Sequence, residues 1–278
     1  MKNYVLRICC GDQKGLLHKI TGAIYRRDLN VTENGEFVDH QNGMFFVRTA
    51  FTGDVDLYEI ENELRESLPN IHLLDLHEQT PRRLLVFATK EPHCLGDLLL
   101  RHASGELPAR ILGVVANHPD LKELTERFKI PFHHVPAEDF TRERHEAEIL
   151  KVVRSYNPDY LVLAKYMRVL TKAFVERFEN RILNIHHSFL PAFIGRNPYQ
   201  QAYDRGVKII GATAHLVNDQ LDEGPIITQS VLPVSHTQSA LELARSGRDV
   251  ERVVLARALQ LILEDRVVVH GKRTIVFG

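Results

Sequence analysis

The first 80 residues alternate short apolar stretches with two amphipathic ones. Residues 4–9 have the character of a strand, and glycines at 11 and 15 frame a turn. Apolar positions then recur at helical spacing over 16–26. Residues 30–37 and 44–52 predict two strands joined at Asn42–Gly43, a dipeptide suited to a tight hairpin. Over 56–68, Leu57, Ile60 and Leu64 fall on one helical face. Residues 71–77 alternate and predict a last strand. The resulting order is βαββαβ, a sheet with two helices on one face.

A junction follows at 80–83, where Pro81 can stop the last strand. From residue 82 the period changes. Continuous apolar runs at 84–88, 111–116, 160–164 and 182–185 alternate with helical patterns at 95–102, 121–128, 142–155 and 171–178. Strands apolar on both faces, separated by helices, predict a mostly parallel sheet covered on both sides. Two long strands are expected at 209–217 and 226–234, then a long helix at 241–263. A hairpin at 267–270 and 273–277, around Gly271–Lys272, ends the chain. The expected domains are 1–80 and 84–278, and the fold class is α/β.

Composition narrows the function. The chain has 278 residues, 44% hydrophobic and 26% charged, with 35 Lys and Arg against 36 Asp and Glu. This balance argues against a polybasic nucleic-acid or membrane-surface protein. The first domain carries 8 basic and 13 acidic residues, so the division also separates charge. Cys9, Cys10 and Cys94 form no CxxC pair, which argues against a disulfide framework or a cysteine zinc site and for a reducing, cytoplasmic setting. Residues 1–8 lack a signal-peptide run, and no stretch is long and apolar enough to span a membrane.

The strand-to-helix turn at 88–96 holds one glycine and a proline. A dinucleotide or nucleotide phosphate cradle needs several glycines there, so neither is expected. The chemistry gathers instead in 184–225. Asn184 and His186, two apart on a strand, face the same side near its carboxyl end, where α/β sheets bind ligands. His215 ends a second strand, and the loop after it carries Asn218, Asp219, Asp222 and Glu223. An amide can stabilise a developing oxyanion, an imidazole can move protons, and a carboxylate can orient water or tune the histidine. On residues alone, a strand-end histidine also fits a structural role, and Asp222 before Gly-Pro also fits a turn. His186 and His187 are adjacent on a strand and point to opposite faces, so no metal site is expected.

The segments Asn-Ile-His-His-Ser-Phe-Leu-Pro at 184–191 and His-x6-Asp-x-Gly-Pro-Ile-Ile from 215 resemble the signature of formyltransferases that use 10-formyltetrahydrofolate. The resemblance covers roughly 84–235. It implies catalytic roles for Asn184, His186 and Asp222, a pterin pocket lined by Met167, Arg168 and Leu170, and substrate contacts from His215 and Gly224. For Met167 and Leu170, a place in the core is the competing reading. His187 stands where that family usually has proline, and the 88–96 turn lacks the phosphate cradle of the glycinamide ribonucleotide transformylases. Residues 10–17 and the helix after them resemble an ACT domain, a small-ligand sensor fold that often pairs between subunits. A passive dimerisation module is the other reading of that unit.

The ACT-like unit followed by a formyltransferase-type domain resembles the arrangement of the formyltetrahydrofolate deformylase family. The resemblance implies hydrolysis to formate and tetrahydrofolate, in support of purine biosynthesis and the one-carbon folate pool, without a metal or other cofactor. It also implies an amino-acid effector such as glycine or methionine and a homo-oligomer, dimer or tetramer. Two alternatives stay open: a formyltransferase with an amine acceptor, and a non-catalytic ACT-type regulator.

Overall fold

The computed structural model describes residues 2–192 and 198–278; Gly195, a turn-compatible glycine in the loop after the His186 strand, lies outside them. The chain divides into two compact units. One comprises the chain to Thr80 with residues 264–270 and 275–278; the other comprises Pro81–Leu263 with Gly271–Thr274.

The first unit contains β1 (Lys2–Gly11), α1 (Leu16–Tyr25), β2 (Asn30–Asp39), β3 (Met44–Gly53), α2 (Leu57–Ser67) and β4 (Leu73–Glu78). This is the expected βαββαβ order, with the strands arranged β2-β3-β1-β4 and β1 antiparallel to both neighbours. Asp56 caps α2 by accepting from the Tyr58 amide at 3.0 Å. Alternate residues Tyr4, Leu6, Ile8 and Cys10 of β1 turn toward Leu16, Ile20 and Ile24 of α1 and Ile60 and Leu64 of α2.

The opposite parity is apolar too. Cys9, Met44 and Phe46 pack with Val268 and Phe277 from the end of the chain. Residues 264–270 and 275–278 thus group with the first unit, because this second face needs cover that local pattern could not assign. Polar contacts reinforce it. Arg48 donates through Nε and Nη2 to the Glu264 carbonyl at 3.1 and 2.8 Å, and Arg7 through Nη1 to the Val267 carbonyl at 3.0 Å.

The second unit runs through β5 (Arg82–Ala88), α3 (Pro92–Ser104), β6 (Ala109–Ala116), α4 (Lys122–Arg127), β7 (Phe132–His134), α5 (Arg142–Tyr156), β8 (Tyr160–Leu163), α6 (Lys172–Val175), β9 (Ile182–His186), α7 (Pro198–Asp204), β10 (Ile209–Leu216), β11 (Ile226–Pro233) and α8 (Ala240–Leu263). The end of the chain adds β12 (Val267–His270) and β13 (Arg273–Val276). The seven-stranded sheet has the order β11-β10-β9-β8-β5-β6-β7. From β9 to β7 it is parallel, and β10 and β11 are antiparallel additions at one edge. The order reverses at β5, which pairs with β6 on one side and β8 on the other; such a switch point opens a crevice at the strand carboxyl ends. The short β7 and α7 were not expected, since three residues give no period and Pro-Tyr-Gln-Gln-Ala-Tyr-Asp has no apolar stripe.

Candidate active site

Antiparallel pairing of β9 with β10 sets His215 opposite Asn184 and Thr213 opposite His186. Directly opposed residues share a face, so one register brings amide and imidazoles together. A register shift between Ala214 and His215, in the pairing of β10 with β11, reshapes the strand at this point. Asp222 completes the set from the loop after β10, with a backbone φ of 57°, a left-handed conformation that Asp and Asn tolerate better than most residues. Gly224, two residues on, allows a close approach: a Cβ there would lie 1.7 Å from the Leu216 carbonyl oxygen.

The polar atoms are specifically directed. His186 Nδ1 lies 3.3 Å from Asp222 Oδ1. His186 Nε2 is buried and has no hydrogen-bond partner among the described residues. Such an atom is costly to bury unless something binds it. His215 donates through Nδ1 to the Leu216 carbonyl at 3.0 Å, which leaves Nε2 to accept from the Asn184 amide nitrogen at 3.2 Å. Burial lowers the His215 pKa and favours that neutral form. For Asp222, burial acts to raise the pKa, but the hydrogen bond and charge of His186 hold it below the usual carboxylate range.

These groups open into a cavity of about 360 Å³. Met167, Arg168, Leu170 and His215 line it together with Asn184, His186 and Asp222. Seven of the eight residues singled out in the sequence are thus brought to one cavity; Gly224 is not in its wall and instead packs behind His215. His215 supplies more than lining, because it orients the Asn184 amide. The loop after β9 is tied down by Thr213, whose hydroxyl donates to the Ser188 carbonyl at 2.9 Å and accepts from the Leu190 amide at 3.0 Å.

Sequence reasoning missed Lys165, Glu251, His93 and Tyr199, which cluster beside this cavity. Glu251 Oε2 lies 2.7 Å from His93 Nε2 and 3.3 Å from Lys165 Nζ, and Oε1 accepts from the Tyr199 hydroxyl at 2.6 Å. A signal existed: Glu251 falls in phase with buried Leu243, Gly247, Leu255 and Leu259 along α8. A carboxylate on the apolar stripe of a helix needs buried partners. His93, Cys94 and Glu251 also have ligand-type atoms within 4.8 Å of one another, but there the carboxylate already holds an ammonium and two hydrogen-bond donors.

Comparison with known proteins agrees with this geometry. Residues 82–259 match the formyl transferase family, and residues 4–68 match the ACT domain. The chain is 52% identical over 276 residues to a formyltetrahydrofolate deformylase of Escherichia coli (strain K12), covering 99% of each. It is 50% identical over 272 residues to one from Haemophilus influenzae, covering 98% of each. A crystal structure of a formyltetrahydrofolate deformylase from Pseudomonas syringae pv. tomato superposes with a TM-score of 0.95 at 39% identity, over 100% of this chain and 95% of that one. The fold and cavity define a formyltransferase-type α/β unit joined to an ACT domain. Within that class, the chain belongs to the formyltetrahydrofolate deformylase family.

Proposed function

We propose that this chain hydrolyses 10-formyltetrahydrofolate to formate and tetrahydrofolate, with Asn184, His186 and Asp222 as the catalytic residues. The observation that carries the reading is the buried, unpartnered Nε2 of His186, a residue that lines one cavity with Asn184 and Asp222. Met167, Arg168 and Leu170 offer the pterin an apolar and hydrogen-bonding wall.

Each residue has a chemical task. Asp222 holds the attacking water through the carboxylate oxygen that His186 does not occupy, and takes its proton. The Asn184 N–H that is not given to His215 points to the formyl oxygen as it becomes an oxyanion. His186, held at Nδ1 by Asp222, uses Nε2 to support that charge and to deliver a proton to N10 as the C–N bond breaks. Once the products leave, Asp222 releases the proton it took and His186 Nε2 regains one, through solvent that re-enters the cavity.

No cofactor is needed in this scheme, because amide, imidazole and carboxylate cover polarisation and proton transfer. Dialysis against a chelator should leave turnover intact, and loss that zinc restores would contradict it. The deciding assay is incubation with 10-formyltetrahydrofolate alone. Stoichiometric formate supports hydrolysis, formyl transfer only on adding an amine supports a transferase, and binding without turnover supports a regulator. The formate would feed purine synthesis. An amino acid such as glycine or methionine is the proposed effector of the ACT unit, a dimer or tetramer the proposed assembly, and the cytoplasm the proposed compartment. The three free, buried cysteines fit a reducing setting.

A further inference from the structure

A second cavity, of about 840 Å³, adjoins the first and has no part in the scheme above. The two share Lys165, Met167 and His187 in their walls. Lys165 is held there against ordinary preferences. Its side chain is only 4% exposed, and it pairs with a Glu251 side chain that is fully buried. Its backbone φ is 61°, a left-handed conformation that a residue with a β-carbon keeps only when its surroundings impose it. His93 and Tyr199 complete the environment of Glu251. Gly247 on α8 makes room for Tyr199, since a Cβ there would lie 2.1 Å from the Tyr199 hydroxyl. The His187 ring stands 5.1 Å from that of His186 and 6.1 Å from that of Tyr199.

All of these residues serve to fix one ammonium where the two cavities meet. A nucleophile entering from the second cavity would pass Lys165 and His187 on its way to a formyl carbon beside His186. We propose that Lys165, held by Glu251, selects the acceptor: it passes water and turns away primary amines. This rests on the hydrolase reading of the neighbouring site. An alkylamine is a cation near neutral pH and needs a counter-charge in a buried site, but Glu251, the carboxylate at hand, is already held by Lys165, His93 and Tyr199; water carries no charge and needs none. The Lys165 charge suppresses His187 protonation after burial has already done so, and its pKa falls to about 3. The ring is thus a neutral wall and not a second cation. The reaction with water forms a C–O bond and breaks C–N10; Asp222 takes one water proton while His186 gives one to N10, solvent restores both groups, and formic acid ionises. With an amine, a C–N bond would form instead, with one amine proton taken by Asp222 and one given to N10 by His186.

The test is the partition of the formyl group between formate and N-formylethylamine when ethylamine is added to enzyme and 10-formyltetrahydrofolate, with the enzyme-free rate subtracted. Wild type should give formate almost alone. Lys165→Gly, which suits the left-handed backbone, should raise the N-formylethylamine fraction at least about tenfold, while Lys165→Arg should keep the wild-type partition. The double variant Lys165→Met, Glu251→Gln removes the charge without stranding a buried carboxylate and should behave as Lys165→Gly does. Hydroxylamine, uncharged at neutral pH, should show a smaller change between wild type and variants than ethylamine. An unchanged partition in both charge-removing variants, with wild-type melting curves, would overturn the proposal. So would parallel loss of formate and N-formyl product, because Lys165 would then serve the chemistry and not the choice of acceptor. Absence of formate from wild type would instead overturn the hydrolase reading on which the proposal stands.

Discussion

His77 in the first unit and His186 in the second each meet an aspartate through Nδ1, at 3.1 and 3.3 Å. Beyond that the two are wired in opposite ways. His77 Nε2 is also held, by Asp265 at 3.1 Å, so both ring nitrogens are engaged. His186 Nε2 is buried and bare among the described residues. The first ring is a tie that fastens the end of the chain to the ACT sheet, and its partners satisfy it completely. The second has a place kept for something that is not part of the chain. A closed polar network stabilises and specifies a fold, whereas an open one, maintained at a cost, marks a site.

Breaking the open pair should have the largest effect. Asp222→Asn keeps the backbone conformation that the position requires, yet should lower kcat by at least about a hundredfold, read as formate release, with an unchanged melting curve. His186→Ala should lose a similar factor. Near-normal turnover in either would remove that residue from the mechanism. Asn184→Ala should cost about 2.7–4 kcal/mol in the barrier, the range for one lost oxyanion donor, and should act on kcat more than on KM. If it acted on KM alone, the amide would be binding ground state and not transition state.

A smaller effect is expected from Gly224→Ala, a position outside the cavity wall. Its Cβ would collide with the Leu216 carbonyl and displace His215, the residue that aims Asn184. Destabilisation of about 1–3 kcal/mol, seen as a lower Tm, should accompany the loss of rate. Wild-type Tm would mean that the loop can yield there.

The closed pair should give the mildest effect, visible only through pH. Hydrogen bonds donated by its ring to Asp265 and Asp75 raise the His77 pKa to about 9. A folded-state pKa above the unfolded value of about 6.5 means that the stabilisation is complete below about pH 6.5 and is lost as pH rises through the folded value. Melting temperature should therefore decline over that window, and His77→Gln should flatten the decline without changing kcat at neutral pH. An identical pH profile in the variant would show that His77 is not the titrating group.

Much of the fold could be read in advance, because period and burial are local properties. The βαββαβ order, the parallel strands and the long helix all follow from apolar spacing. What covers the second face of the ACT sheet could not be read, since Val268 and Phe277 lie at the other end of the chain. The candidate site divided in the same way. Asn184 and His186 were legible from a spacing of two on a strand. The choice of Asp222 over Asp219 came from a family resemblance, because a loop of carboxylates has no period.

By itself, then, the sequence determined the elements, the two-unit plan and the kinds of group available for formyl chemistry. Tertiary structure alone decided how those groups meet. The register of β9 on β10 set His215 against Asn184 and so fixed both the tautomer of one and the direction of the other. Sheet order and the packing of α8 brought Glu251 to Lys165. Periodicity records which face of an element is buried. It does not record which distant element will cover that face, and the hydrogen bonds that aim a catalytic group depend on that pairing.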